Sequence, residues 1–240
     1  MIGKIQSDFE NGEGPFENKA ELLPERAVLD ENPDINTRRT AFLTYGCMLD
    51  YNRNAANLWQ NCLELWQRDT DYFDPHEAAE MSQDSLSAVM SDIGFRYPNR
   101  DADGWIRNSE IVCEEHEGSW AMLILDSHRD AEQLAENIEE EGYKYLGGEK
   151  LKPFYCKVIH ENVAELDNIW TLEIPVDVHI RRLTQDLAGN ELSDDEIREF
   201  WRVQGHQDDI SPMVVDGALW LIGNNWDDWG EQYWEGLQDE

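Results

Sequence analysis

The sequence lacks a long hydrophobic run and a loop of the kind that binds nucleotide phosphates. Its longest uninterrupted apolar stretch, Trp120–Leu125, has six residues, whereas a membrane-spanning helix needs about 20. Neither a GxxxxGK[ST] motif nor a strand–GxGxxG–helix pattern is present. The amino-terminal residues contain no apolar segment typical of a secretory signal. We therefore expect an intracellular, cytoplasmic protein with no membrane partner.

The cysteines and histidines do not follow a metal-binding pattern. The four cysteines, at positions 47, 62, 113 and 156, include no CxxC pair, and the six histidines include no HExxH motif. We expect no metal and no cofactor. In an intracellular protein these cysteines are most simply explained as small buried apolar residues.

Basic residues are scarce relative to acidic ones. Fifty-two Asp and Glu residues oppose 19 Lys and Arg residues, so the net charge is −33 and acidic residues occur along the whole chain. Ten tryptophans and 40% hydrophobic residues nevertheless predict a packed core. This composition resembles that of proteins from salt-loving microbes, because salt screens the self-repulsion of an acidic surface. A solvated acidic surface in a high-salt cytoplasm explains the charge better than a basic partner does.

The spacing of apolar residues predicts an all-α fold of about eight to ten helices. Residues 1–35 carry several glycines and prolines, which favours an irregular acidic arm. Two stretches, 121–125 and 170–174, are weak strand candidates. Four local signals predict helix ends: Ser127 as an N-cap with Gly142 as a stop, a capping box of Ser193 and Glu196, Gly205 as the residue after a helix, and Ser211-Pro212 as a helix start.

Four of the six lysines fall within one short stretch. Lys144, Lys150, Lys152 and Lys157 surround Gly147-Gly148, and from Tyr145 to Lys157 the segment contains one acid, Glu149. Glycines between two predicted helices indicate a tight helix–turn–helix hairpin, whose backbone N–H groups can face a phosphate. An ordinary turn with solvated lysines also fits these residues.

A second motif, Ile174-Pro-Val-Asp-Val-His-Ile-Arg-Arg-Leu183, follows the lysine stretch. Pro175 suits the first turn of a helix, and Val176, Ile180 and Leu183 would form its buried face. Asp177 then lies near the helix amino terminus, where the helix dipole favours a carboxylate. A structural pair with Arg181, four residues on, is the alternative.

Together, the glycine turn, the lysines and the PVDxHxxR motif resemble the helix-hairpin-helix DNA glycosylase superfamily. Residues 149–158 are most similar to the catalytic stretch of the archaeal 8-oxoguanine DNA glycosylases. This resemblance implies a two-lobed, all-α glycosylase fold over residues 36–240, with one lobe of about 76–180 and a second of 37–75 plus 185–240. It covers about residues 37–223, and its motifs are concentrated in residues 144–223.

The resemblance also implies roles for individual residues. Lys150 would be the nucleophile, Lys157 a second catalytic lysine and Asp177 the carboxylate that acts at the sugar, whereas Gly147, Gly148 and Lys152 would bind the DNA backbone. Lys152 instead of Lys150 remains open as the nucleophile, because the turn differs from the usual LPGxGxK. Trp220 and Asp216 would contact the damaged base, and Asp50 takes the place of the family's base-pocket glutamine.

The implied activity is removal of an oxidised purine, 8-oxoguanine being expected, from double-stranded DNA, followed by strand cleavage as a lyase. The enzyme would act as a monomer. Three alternatives remain: a monofunctional glycosylase for another lesion, a catalytically silent DNA-binding module of the same fold, and an acidic DNA mimic that binds a basic protein.

Overall fold

The computed structural model describes residues 1–18 and 23–238, and these residues form α-helices and short 3₁₀ or π turns without any β-strand. The predicted all-α class is therefore confirmed for the described chain. Its fourteen helices are α1 Ile2–Asn11, α2 Pro24–Glu31, α3 Arg39–Leu49, α4 Ala55–Arg68, α5 Pro75–Ala79, α6 Gln83–Ile93, α7 Pro98–Glu115, α8 Trp120–Asp126, α9 Ala131–Glu140, α10 Leu151–Asn162, α11 Val178–Ala188, α12 Asp194–Asp208, α13 Pro212–Asn224 and α14 Glu231–Gln238.

The chain forms two compact units. One contains residues 24–169, and the other contains residues 1–23 and 170–240. This division differs from the expected lobes, because residues 37–75 belong to the same unit as residues 76–169 instead of joining residues 185–240.

The unit of residues 24–169 is built around α3, which is buried along nearly its whole length. The Tyr45 ring stacks on Trp105 with centroids 4.1 Å apart, and its hydroxyl lies 2.6 Å from Ser109 Oγ. Gly46 lets the Trp59 ring approach closely, since a Cβ atom there would lie 2.2 Å from it. Aromatic contacts that also include Phe42 and Phe73 complete this core.

The other unit buries α13 against α1, α11, α12 and α14. Ser211 caps α13 and Pro212 is its first residue, as predicted. Trp201 and Trp234 are fully buried in this core, and their indole N–H groups donate to Thr184 Oγ1 at 2.8 Å and Asp186 Oδ2 at 3.1 Å.

Several local expectations were wrong. The predicted irregular arm contains α1 and α2 (residues 19–22 of it lie outside the described residues), because Gly12, Pro24 and Pro33 mark the ends of helical segments instead of interrupting them. Of the weak strand candidates, 121–125 lies in α8, whereas 170–174 begins in a 3₁₀ turn, Ile169–Thr171, and continues as irregular chain. Asp130, not Ser127, caps α9.

Candidate functional site

The predicted hairpin is a ten-residue connection, residues 141–150, between α9 and α10. It is longer than the expected tight turn, and its middle part is anchored. Tyr143 and Leu146 are buried, and Asn108 binds both backbone groups of Lys144, accepting from its N–H at 2.7 Å and donating to its carbonyl at 2.9 Å. The connection is therefore held firmly against α7.

The two turn glycines leave the surface of this connection open. A Cβ atom at Gly148 would meet no atom within 4 Å, and one at Gly147 would approach only the Glu139 backbone, at 3.9 Å. Neither glycine N–H donates to a residue that the structure describes. Two backbone donors are thus available to an oxygen ligand such as a phosphate.

Three of the four clustered lysines form ion pairs. Lys150 is different: no described carboxylate pairs with it, and its Nζ donates to the Asp50 backbone carbonyl at 3.3 Å. The structure therefore brings together two predicted site residues, Lys150 and Asp50. The ion pairs of the others are Lys144–Asp103 at 2.6 Å, Lys152–Glu139 at 2.5 Å and Lys157–Glu161 at 3.2 Å.

Lys157 is only 3% exposed and lies on α10 two turns beyond Lys150. Besides Glu161, it acts electrostatically on Glu25, a carboxyl of α2 that is 5% exposed. Burial raises the pKa of Glu25 to about 7, although the nearby Lys157 charge opposes this shift. Glu161 thus pairs with the charge of Lys157, the residue that the resemblance would make a second catalytic lysine.

Asp177 lies in the other unit and is the N-cap of α11, with Pro175 outside the helix. Its Oδ1 accepts from the N–H groups of His179 at 2.8 Å and Ile180 at 2.9 Å. Its Oδ2 accepts no hydrogen bond from a described residue. The alternative pair with Arg181 does not form, since Arg181 pairs with Asp194. Asp177 is thus fixed by one oxygen, which leaves the other for a ligand.

Trp220 and Asp216 lie one turn apart on α13. Trp220 is half-buried and meets the His179 ring edge-on, with centroids 5.7 Å apart. Since His179 follows Asp177 by two residues, the structure brings Trp220 close to the start of α11. Asp216 is 5% exposed, and His179 Nδ1 is buried without a hydrogen-bond partner.

An open groove of about 470 Å³ runs along α11 in the same unit. Its lining includes none of Asp177, Asp216 and Trp220. It is bordered instead by Arg182, whose guanidinium lies 5.8 Å from the Trp226 ring centroid. The groove therefore does not mark the predicted base pocket.

The cysteine prediction is confirmed for Cys47, Cys62 and Cys156, which are buried, and wrong for Cys113, which is half-exposed. Within residues 1–18 and 23–238, no cluster of three or more His, Cys, Asp or Glu side chains is arranged to hold a metal ion. The same described residues contain no helix that is both long and apolar enough to cross a bilayer.

Sequence reasoning missed Glu25 and a group of tyrosines and arginines beside Asp50. The segment Phe95-Arg-Tyr-Pro-Asn-Arg100 gave a usable signal for the second group, because two arginines and a tyrosine in six residues are unusual in so acidic a chain. Glu25 had no comparable signal, because its burial arises from packing.

The six predicted residues of the lysine site (Asp50, Gly147, Gly148, Lys150, Lys152 and Lys157) and the three of the Asp177 site (Asp177, Asp216 and Trp220) lie in different units. No protein-family model matches the chain, and no curated protein is significantly similar to it. The resemblance to helix-hairpin-helix DNA glycosylases therefore stays a prediction.

Proposed function

We propose that this protein is a DNA glycosylase with lyase activity, in which Lys150 attacks the sugar of a damaged nucleotide. The observation that carries the proposal is the selective absence of an ion pair at Lys150. In a chain of net charge −33, its three neighbouring lysines are all paired, whereas Lys150 has no described carboxylate partner.

Two further features support binding of a DNA backbone near this amine. The N–H groups of Gly147 and Gly148 have no described acceptor, and neither glycine has a side chain that would block a phosphate. Lys150 follows directly as the residue before α10. Backbone donors and an amine are therefore presented by one rigid segment.

The chemistry would begin with extrusion of the damaged nucleotide from the duplex, because its sugar carbon is inaccessible within the stack. The neutral Lys150 amine would form a bond to the anomeric carbon while the bond to the base breaks, and the base would leave with the electron pair and take up a proton. Opening of the sugar ring gives a Schiff base, from which β-elimination cleaves the strand.

Asp177 would stabilise the positive charge that develops on the sugar, through its available Oδ2. Trp220 would supply an aromatic face for the extruded base. From the resemblance, 8-oxoguanine is the expected base and double-stranded DNA the expected partner, bound by a monomer. Both the Lys150 and the Asp177 side chains must reach one nucleotide for this mechanism to operate.

The test is an assay of base release and borohydride trapping on duplex DNA that contains 8-oxoguanine, in molar potassium chloride. We expect the wild-type protein to release the base and to become covalently joined to DNA. Lys150→Gln should abolish both events, whereas Lys144→Gln, the matched control at a lysine of the same segment that pairs with Asp103, should keep both.

The other outcomes identify the alternatives. Base release without a trapped adduct would indicate a monofunctional glycosylase. Binding to the duplex without release by the wild-type protein would indicate a silent module, and failure to bind DNA at all would leave the acidic DNA mimic. Any of these three results would contradict the proposal.

A further inference from the structure

Three tyrosines and three arginines gather around the loop that joins α3 to α4, in the unit of residues 24–169. The Arg100 guanidinium lies 4.1 Å from the ring centroid of Tyr145, 5.6 Å from that of Tyr51 and 5.8 Å from that of Tyr97. We name Tyr51, Tyr97, Tyr145, Arg96 and Arg100 the tyrosine–arginine surface. The third arginine, Arg53, is buried and contacts the Tyr97 ring of this surface.

The tyrosine–arginine surface is rigidly supported. Arg53 forms a buried, two-pronged ion pair with Asp101, with both contacts at 2.9 Å, and its guanidinium lies 5.2 Å from the Tyr97 ring centroid. Asp101 therefore neutralises the charge of Arg53 but not the charges of the two outer arginines, Arg96 and Arg100. Tyr97 is held by arginines, since Arg96 also lies 5.2 Å from its ring centroid.

Tyr145 adopts a costly backbone conformation to reach this position. Its φ of 68° is in the left-handed region, which disfavours residues other than glycine. Its ring lies over Gly104, where a Cβ atom would approach to within 2.5 Å of the ring. A strained tyrosine that depends on a glycine for space, and on the Asn108 clamp next to it, is typical of a functional position.

The outer arginines carry charge that the protein does not neutralise. Among the described residues, neither Arg96 nor Arg100 pairs with a carboxylate, although the chain carries 52 acidic residues. Arg96 donates instead to the Asn52 backbone carbonyl at 2.5 Å. With Lys150, whose Nζ donates to the Asp50 carbonyl next to Tyr51, three basic side chains without a described carboxylate partner lie around one loop.

An exposed tyrosine ring beside arginines that have no described ion pair matches the chemistry of unpaired nucleotides. Bases stack on tyrosine rings and on guanidinium planes, and phosphates pair with arginine. Tyr51 is 52% exposed, so its ring is accessible to such a base. A protein partner of acidic character would use the charges but would not need the exposed ring of Tyr51.

We infer that the tyrosine–arginine surface binds unpaired, single-stranded nucleic acid by stacking bases on Tyr51 and Arg100. This inference goes beyond the proposed glycosylase activity, because it requires neither a damaged base nor a reaction at Lys150. In a glycosylase, the same surface would hold the strand region that is left unstacked beside the extruded nucleotide.

The test measures binding of an undamaged single-stranded oligothymidylate that contains one 2-aminopurine, in molar potassium chloride. Stacking quenches the fluorescence of this base analogue. We expect quenching by the wild-type protein, about tenfold weaker binding for Tyr51→Ala, and nearly unchanged binding for Tyr51→Phe, which keeps the ring. The wild-type protein should also bind a strand of tetrahydrofuran phosphates, which lacks both the bases and the anomeric hydroxyl needed to form a Schiff base, less tightly than the oligothymidylate, and Tyr51→Ala should remove that difference.

Arg100→Ala and Arg107→Ala form a matched pair on α7, because both remove one positive charge and Arg107 lies outside the surface in an ion pair with Glu110. We expect Arg100→Ala to weaken binding and Arg107→Ala to have no effect. Equal effects of these two variants, equal binding of base-free and base-containing strands, or no binding by the wild-type protein would overturn the inference. Because the strand carries no lesion, these outcomes are independent of the trapping result.

Discussion

Glu25 is the clearest case in this protein of a single carboxyl whose chemistry is set by burial. Desolvation raises its pKa to about 7, and Lys157 only partly offsets that effect. Asp50 and Glu161 add to the shift because their negative charges also disfavour ionisation. Glu25 therefore carries a proton in the folded protein over a pH range where it is ionised in the unfolded chain.

This difference predicts a pH-dependent cost to stability. Because the folded protein binds the Glu25 proton more tightly, stability is highest below pH 4.5 with respect to this group and falls as the pH rises through about 7. Glu25→Gln should remove this decline, which amounts to at most about 3 kcal/mol of unfolding free energy for a pKa shift of this size. Denaturant unfolding of both proteins across this range measures it, and parallel curves would show that Glu25 titrates normally.

The lysine cluster was predictable at the residue scale, whereas Glu25 was not. Four lysines near two glycines form a local pattern, and the sequence alone singles them out in an acidic chain. The choice between Lys150 and Lys152 required the positions of distant acids, since Glu139 on the preceding helix pairs with Lys152. Burial of Glu25 likewise depends on the packing of α2 against α4, which no local pattern encodes.

Among the helices, α11 begins at a residue with two roles. Asp177 is its N-cap and, in the proposed reaction, the carboxylate that stabilises the charge on the sugar. These two roles can be separated, because asparagine caps a helix about as well as aspartate but carries no charge. The structure assigns the cap to Oδ1 and leaves Oδ2 without a described donor.

We therefore predict different effects for two substitutions. Asp177→Asn should change the free energy of unfolding by a few tenths of a kcal/mol and abolish base release, whereas Asp177→Ala should also cost about 1 kcal/mol of stability. Thermal unfolding and the base-release assay together check this. If Asp177→Asn retains full base release, Asp177 is a structural cap alone.

His116 connects the ends of three helices. It follows α7, and its Nδ1 lies 2.7 Å from Asp126 at the end of α8, while Nε2 lies 2.9 Å from Glu141 after α9. Burial disfavours its protonated form, but the hydrogen bonds to the two carboxylates outweigh this and raise its pKa above 6.5.

The raised pKa of His116 means that its contribution to stability is complete below pH 6.5 and is lost as the pH rises through the folded-state value. A neutral ring can donate only one hydrogen bond, so one of the two carboxylates loses its donor. His116→Gln should therefore destabilise the protein more at pH 6.5 than at alkaline pH, as measured by denaturant unfolding. A pH-independent loss would mean that packing alone explains the role of His116.

Helix ends were predictable only where the capping contact is local. The Ser193–Glu196 capping box forms as predicted, because both partners lie within one turn. Ser127 instead donates to the Leu123 carbonyl and is buried after α8. Gly205 was expected to follow a helix, but it lies inside α12, where the Cβ atom of a side chain would be 2.4 Å from the Ile210 carbonyl oxygen. Asp209 adopts the left-handed conformation at the end of this helix instead. A glycine required for packing looks the same in the sequence as one that ends a helix.

At the scale of the whole molecule, the net charge of −33 is the dominant feature. Its self-repulsion opposes folding and repels DNA, and both effects weaken when molar salt shortens the screening length to about 3 Å. The short contacts with DNA that we propose for Gly147, Gly148 and Lys150 would be weakened less by screening than the long-range repulsion is.

We accordingly predict that stability and DNA binding both improve as potassium chloride is raised to molar concentration, opposite to the behaviour of an ordinary basic DNA-binding protein. Far-UV circular dichroism during heating and a DNA-binding titration measure the two effects. An uncharged solute at equal osmolality is the control and should not reproduce them. Tightest binding with no added salt would contradict this explanation of the charge.

The division into two units was the least predictable property of the whole molecule. Apolar spacing predicts that residues 42–66 are helical, but it does not say which helices they pack against. In the structure α3 and α4 share a core with Phe73, Trp105 and Trp120, through aromatic contacts between residues up to 75 positions apart. Such long-range packing depends on shape, which the sequence pattern does not contain.

Peptide mapping of the borohydride-trapped adduct would show whether Lys150 forms the proposed covalent bond with the sugar of a damaged nucleotide. Wild-type protein would be trapped on lesion-containing duplex in molar potassium chloride, digested and analysed by mass spectrometry. We expect a deoxyribose remnant on Lys150. A remnant on Lys152, Lys157 or the amino terminus, or no adduct at all, would contradict it.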